Sequence, residues 1–137
     1  MGRFAVDIEL ASNEDLVLAH LGMLSPDKVR RVQLPGIVDC GATRLIIPES
    51  VAQQLGLPVT QQITVKYADE RTATRPLVSQ IWLKLQGREG LFNATVEPKR
   101  TTALIGAIVL EDLDFLVDAK TEILVPRDPN TIISEAE

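Results

Sequence analysis

Apolar and polar residues alternate with a period of two in several short segments of the chain. This period is typical of a strand that is buried on one face. Together with short apolar runs, it predicts strands at residues 4–10, 29–34, 63–67, 72–78, 79–85, 91–96, 101–105, 114–118 and 122–126. Helical patterns follow Pro48 and Gly106, and residues 16–21 fit either a strand or a short helix. We therefore expect a mostly β protein, a small closed β-barrel with one or two short helices.

The most informative stretch is the loop after Ile37 and Val38, an apolar run that ends in Asp39 and Gly41. Pro35 and Gly36 are expected to bend the preceding strand into this loop. Glycine enters a tight turn at no steric cost, so the loop presents Asp39 between buried strands. Two interpretations stay open at this point. Asp39 is either a turn residue that accepts backbone N–H bonds, or a functional carboxylate in a rigid, partly buried loop.

The segment after the loop is predicted to be a helix. Pro48 suits a first helical turn, where its missing N–H costs nothing, and Gly56 stands where a C-terminal cap is expected.

Composition limits the classes of protein that the chain can represent. Its 137 residues are enough for one domain, 1–137, whose last residues are either a frayed tail or a strand at a dimer interface. The net charge of −5 and the lack of a basic block argue against nucleic acid or an anionic membrane as partner. One cysteine and one histidine offer no disulfide within the chain and no zinc site. With neither a long apolar run nor a signal peptide pattern, we expect a cytoplasmic protein.

Three motifs together resemble the retroviral-type, or retropepsin-like, aspartic proteases of the single-domain kind found in cellular genomes. Residues 38–42 resemble the catalytic loop of that family, an apolar residue followed by Asp, Thr or Ser, Gly and Ala. Residues 45–57 resemble the segment after it, and residues 103–106 resemble an apolar-apolar-Gly element beneath the active site. The resemblance covers about residues 4–126 and implies the acid protease barrel.

The resemblance implies a hydrolase, an aspartic-type endopeptidase that acts as a homodimer on a peptide or protein substrate. Asp39 of each chain would meet its copy at a two-fold axis, and the pair would share one proton. Cys40, Gly41 and Ala42 would complete the active-site loop, and Leu104, Ile105 and Gly106 would support it from below. The family needs neither metal nor cofactor for this reaction.

The same resemblance makes residues 63–78 the flap, a hairpin that closes over the substrate, with Tyr67, Ala68 and Asp69 at or near its tip. For Tyr67 the alternative is an ordinary aromatic residue of a strand. The glycine-rich tip of the family is missing here. The flap sequence therefore departs from the family pattern.

Cys40 is the second departure, because the family has Thr or Ser at this position. A thiol is a weaker hydrogen-bond donor than a hydroxyl. Cys40 is therefore either a tolerated near-isostere or the mark of a weakened or inactive protease. The alternative function is a catalytically weak or inactive domain that serves as a dimeric peptide-binding or assembly module. A plain β-barrel with a fortuitous Asp-Cys-Gly turn is a third interpretation.

Overall fold

A computed structural model describes residues 3–137, and residues 1 and 2 of the predicted domain lie outside this range. The largest element is a seven-stranded sheet in the order β1-β2-β7-β3-β6-β5-β4. Its strands are β1 (Phe4–Ser12), β2 (Arg31–Val38), β3 (Leu45–Pro48), β4 (Val59–Lys66), β5 (Thr72–Leu85), β6 (Arg88–Glu97) and β7 (Ala103–Ile105). Because β1 also pairs with β5, six of the strands close into a ring and only β4 lies outside it. The predicted small closed β-barrel is confirmed.

The described residues contain three short α-helices, α1 (Asn13–His20), α2 (Glu49–Leu55) and α3 (Ala107–Asp112), and a 3₁₀ turn at Pro26–Lys28. Helix α2 follows Pro48 and ends at Gly56, whose φ of 62° is in the left-handed region, as the sequence predicted. Helix α1 occupies the segment that the sequence left open between strand and helix. No helix among residues 3–137 is long and apolar enough to cross a membrane.

The core fills the barrel with aliphatic side chains from nearly every strand. Its largest fully buried members are Leu10, Leu45, Ile47, Leu55, Ile81, Leu83, Leu85, Ile105 and Leu113. The alternation along β5 places Ile81, Leu83 and Leu85 inside, and the alternation along β6 leaves Leu91 and Asn93 on the outer surface. The barrel is therefore a rigid support for the loops at its rim.

The predicted bend at Pro35 and Gly36 is wrong, because β2 continues through both residues and pairs with β1 as far as Val38. Gly36 serves another purpose. A Cβ atom at this position would lie 2.7 Å from Cδ1 of Ile105, so the glycine lets β7 pack closely against β2. The close approach of these two strands is what places the Asp39 loop next to the Gly106 element.

Two further boundaries differ from the prediction. Residues 72–85 form one strand rather than two, with a β-bulge between Val78 and Ile81 that keeps both halves in the same sheet. The turn between β5 and β6 contains only Gln86 and Gly87, with φ of 48° and 83°, so Gly90 belongs to β6. Both differences arise because the pairing of β5 with β6 extends the strands beyond their local patterns.

The strands predicted at residues 114–118 and 122–126 are present as a separate two-stranded hairpin of β8 (Phe115–Asp118) and β9 (Ile123–Pro126). The tail after it, residues 127–137, forms no strand within this chain. The backbone N–H of Ile133 donates to Asp114 Oδ2 at 3.0 Å, and Arg127 pairs with Asp114 at 2.8 Å and with Glu135 at 2.9 Å. These contacts hold the tail against its own chain, and a role at a dimer interface stays a prediction.

Candidate active site

Asp39 follows the last residue of β2 and is fixed by its backbone. Its N–H donates to the carbonyl of Ile105 in β7 at 3.0 Å, and its carbonyl accepts from the N–H of Ala42 at 3.1 Å. The side-chain Oδ1 accepts from the N–H of Gly41 at 3.0 Å. Asp39 thus has the backbone bond expected of a structural turn. Its side chain nevertheless remains 16% exposed, so the carboxylate is still accessible.

The second carboxylate oxygen of Asp39 contacts a residue that the sequence did not single out. Nη2 of Arg3 lies 2.9 Å from Oδ2, and the Arg3 side chain is 65% exposed. The strand register explains the contact. Phe4 at the start of β1 pairs with Val38 at the end of β2, so Arg3 just before β1 lies next to Asp39 just after β2. A correct strand pairing would have been needed to find it from the sequence.

Gly106 joins the Asp39 loop to α3. A Cβ atom at this glycine would lie 2.8 Å from the carbonyl oxygen of Ala42 and even closer to that of Arg44, so no side chain fits. The N–H groups of Ala107 and Ile108 donate to the carbonyls of Ala42 and Thr43 at 2.8 and 3.0 Å. The start of α3 therefore holds the loop from below.

The other predicted support residues, Leu104 and Ile105, are buried in β7. Leu104 pairs with Ile37 of β2 and with Ile46 of β3, which connects the strands before and after the loop. The structure therefore brings the predicted loop residues and the predicted support residues together.

Cys40 lies in the same loop with an exposed thiol. Within the described range, residues 3–137, no hydrogen bond to its side chain is present. The side chain of Cys40 is therefore accessible to another molecule, and it contributes little to packing within its own chain.

The predicted flap is a hairpin that extends beyond the barrel. None of the eight residues of β4 is buried, and β4 pairs only with β5. Tyr67 closes the hairpin, since its N–H donates to the carbonyl of Arg71 at 2.8 Å. Ala68 and Asp69 lie in the exposed tip, where Asp69 pairs with Arg71 at 2.6 Å. The tip therefore contains an ion pair and no glycine.

Glu97, at the end of β6, ties this hairpin to the barrel. The hydroxyl of Tyr67 donates to Glu97 Oε2 at 2.6 Å, and Nε of Arg75 donates to Oε1 at 3.0 Å. Partial burial, followed by the bond to Glu97, raises the pKa of Tyr67, so its hydroxyl keeps its proton at neutral pH. The sequence did not predict Glu97, since the contact joins residues thirty positions apart.

Polar contacts between the β4–β5 hairpin tip and the Asp39 loop are absent from the part of the chain that the structure describes. No hydrogen bond or ion pair there connects Tyr67, Ala68 or Asp69 with residues 39–44. The same residues 3–137 contain no group of three or more His, Cys, Asp or Glu side chains placed to hold a metal ion.

Comparison with known proteins identifies the family of the chain. A family model described as aspartyl protease matches residues 28–108, which is more than half of the 137 residues. The matched range contains the Asp39 loop, the hairpin and the Gly106 element. No curated protein matches the chain. The chain therefore belongs to the aspartyl protease family, and its barrel is a retropepsin-like aspartic protease domain.

Proposed function

We propose that the chain is an aspartic endopeptidase that works as a homodimer, with Asp39 as its catalytic residue. The observation that carries the proposal is the geometry of Asp39. Two backbone bonds and the Gly41 N–H fix the residue in a loop supported by β7 and α3, while Oδ2 faces outward. The sequence has a single Asp-x-Gly motif, so a pair of such carboxylates requires two copies of the chain.

The chemistry of the pair follows from electrostatics. Two carboxylates about 3 Å apart cannot both ionise, and therefore they share one proton. The ionised Asp39 takes a proton from a water molecule, which attacks the peptide carbonyl. The protonated Asp39 of the other copy donates a hydrogen bond to the carbonyl oxygen and later helps to protonate the leaving amine. Because the two copies are identical, either Asp39 can be the base, and the apparent pKa values belong to the pair and not to one residue.

The β4–β5 hairpin acts as the lid over the substrate. Because β4 is exposed and unpaired along its outer edge, it can offer backbone groups to an extended peptide, as in strand addition. Closing the lid also excludes water from the reaction. Tyr67 and Glu97 set the position from which the hairpin moves.

The second candidate function is a dimeric peptide-binding module with little or no catalysis. Two observations favour it. Cys40 stands where the family has a hydroxyl, and the hairpin tip is held by the Asp69–Arg71 pair instead of carrying flexible glycines. The change at Cys40 affects dimer contacts, and the change at the hairpin tip affects lid motion. Asp39 and Gly41 still match the family motif.

The test is peptide cleavage by wild type, Asp39→Asn and Cys40→Thr, with the mass of each determined by sedimentation. A diverse peptide pool is used from mildly acidic to neutral pH. We expect wild type to cleave as a dimer and Asp39→Asn to lose activity, because an amide cannot act as the general base. A dimer that never cleaves in any form, yet binds peptides, would establish the second candidate. Activity of Cys40→Thr alone would identify a protease weakened at this residue.

A further inference from the structure

We propose that a cavity beside the catalytic loop binds an acidic side chain of the peptide substrate, with Arg44 as the recognising residue. This inference rests on the proposed peptidase function and specifies its substrate class. The cavity has a volume of about 300 Å³. Its lining includes Arg44, Ser79, Gln80, Leu91, Asn93 and Ile108.

The cavity lies on the outer surface of the barrel, next to the end of the Asp39 loop and to the β5 bulge that follows the hairpin. Arg44 ends the Asp39 loop, and Ser79 and Gln80 follow the part of β5 that forms the hairpin. Ile108 forms another wall, and its N–H bond to the carbonyl of Thr43 holds α3 against the loop at 3.0 Å. Arg44 follows Asp39 by five residues, and five residues of chain span at most about 17 Å. A bound extended peptide of similar length is therefore long enough to reach from Asp39 to the cavity.

The polar groups of the cavity are suited to an anion. Within residues 3–137 the guanidinium of Arg44 has neither an ion pair nor a hydrogen bond, and the lining contains no carboxylate. Gln80 accepts from Asn13 Nδ2 through Oε1 at 3.0 Å, which leaves its NH₂ group free to donate. The side chains of Ser79 and Asn93 can donate as well. Neither acid of α3, Glu111 or Asp112, belongs to the lining, and Asp112 lies beside Gly90.

The backbone at Gln80 supports a binding role independently of charge. Gln80 has a φ of 62°, a conformation that residues with side chains rarely adopt, and it lies in the bulge between Val78 and Ile81. Bulges redirect side chains, and backbone strain of this kind concentrates at ligand sites. Here the bulge places the side chain of Gln80 at the cavity.

The apolar walls select for a side chain with methylene groups as well as a charge. Leu91 is 58% exposed and Ile108 is 42% exposed, so both offer uncovered apolar surface. A glutamate can lay its methylene groups on these residues while its carboxylate forms two parallel bonds with the Arg44 guanidinium. We therefore expect glutamate to bind better than glutamine of the same shape.

The experiment measures binding and cleavage of matched peptides that carry one Glu or one Gln, moved through successive positions. Binding is measured by fluorescence polarisation with Asp39→Asn, so that the peptide stays intact. We expect a Glu peptide to bind about tenfold more tightly than its Gln partner at one or two positions, since bonds to charged groups are the stronger ones. Wild type should show the same preference in kcat/KM.

Variants assign the preference to Arg44. Arg44→Gln should remove the preference for Glu, Arg44→Lys should restore part of it, and Arg44→Glu should favour Lys peptides instead. Arg31→Gln is the matched control, because it removes the same charge from β2 in a pair with Glu9. Binding and cleavage without a difference between Glu and Gln would overturn this inference and leave the peptidase intact. Equal effects of Arg44→Gln and Arg31→Gln would also overturn it. Neither binding nor cleavage of any peptide would overturn the peptidase proposal and this inference together.

Discussion

Arg3 and Asp39 form an ion pair within one chain, with Nη2 2.9 Å from Oδ2. The contact occupies the carboxylate oxygen that faces away from the Gly41 N–H. In the proposed dimer we expect the Asp39 carboxylate to approach that of the second copy. We therefore expect formation of the dyad to compete with the Arg3 contact. Arg3, the residue before β1, would thus influence assembly of the active site.

Replacing Arg3 with Gln should favour the dimer. The Arg3 side chain is largely exposed, so each pair is worth at most about 1 kcal/mol. Because the dimer contains two such pairs, their loss should tighten dimerisation by no more than about thirtyfold. Sedimentation at several protein concentrations measures the dissociation constant. The control is Arg31→Gln, which removes an equal charge elsewhere on the barrel. A weaker dimer in Arg3→Gln would contradict the competition.

Tyr67 and Glu97 should control how freely the hairpin opens. Tyr67→Phe removes the 2.6 Å hydrogen bond and leaves the buried Glu97 with Arg75 as its remaining partner. The loss of such a bond to a charged group costs about 1.5–3 kcal/mol. We expect amides of residues 59–72 to exchange hydrogen at least tenfold faster, measured by mass spectrometry.

Lys66→Gln is the control for this prediction, because it breaks the exposed Lys66–Glu70 pair in the same hairpin and should change exchange little. If Tyr67→Phe exchanges at the wild-type rate, the hairpin is held by its strand pairing alone. A rise in KM with constant kcat for Tyr67→Phe would indicate that the bond positions the lid for substrate binding.

Asp15 should make the fold sensitive to acid. The side-chain hydrogen bonds from Arg30, followed by the Arg30 backbone N–H, lower the pKa of Asp15 from 3.8 to about 2, against the opposing effect of burial. Because the folded pKa is depressed, the stabilisation is complete above about pH 4 and is lost as the pH falls towards 2. It amounts to about 2 kcal/mol.

Urea unfolding of wild type and Asp15→Asn between pH 5 and 2 tests this linkage. Asp15→Asn should be less stable at pH 5 and should lose less stability than wild type on acidification. Asp69→Asn is the control, since Asp69 forms an exposed pair with Arg71. Parallel curves for wild type and Asp15→Asn would rule out Asp15 as a source of the acid sensitivity.

Local patterns were enough to predict the parts of the site that depend on neighbours in sequence. Asp39 and Gly106 each end a short apolar run, and the turn chemistry of aspartate and glycine is visible in a few residues. Arg3 and Glu97 were not predictable in this way, because strand register brings them to Asp39 and Tyr67.

The bend predicted at Gly36 failed for a related reason. The sequence shows that a glycine is present. It does not show whether the glycine makes a turn or, as here, a close contact with Ile105.

Cys40 should form a disulfide with its copy when the proposed dimer is oxidised. Its thiol is exposed and follows directly after Asp39, so carboxylates that meet at the two-fold axis bring the two Cys40 residues near each other. A disulfide needs Cα atoms about 4.4–6.8 Å apart, which makes the reaction a measure of how closely the loops approach. We expect oxidised wild type to migrate as a dimer on a non-reducing gel and as a monomer after reduction. Cys40→Ser should remain a monomer on the gel while keeping its dimeric mass in solution. Oxidised wild type that sediments as a dimer but shows only monomer on the gel would place the Cys40 thiols too far apart and contradict this geometry of the axis.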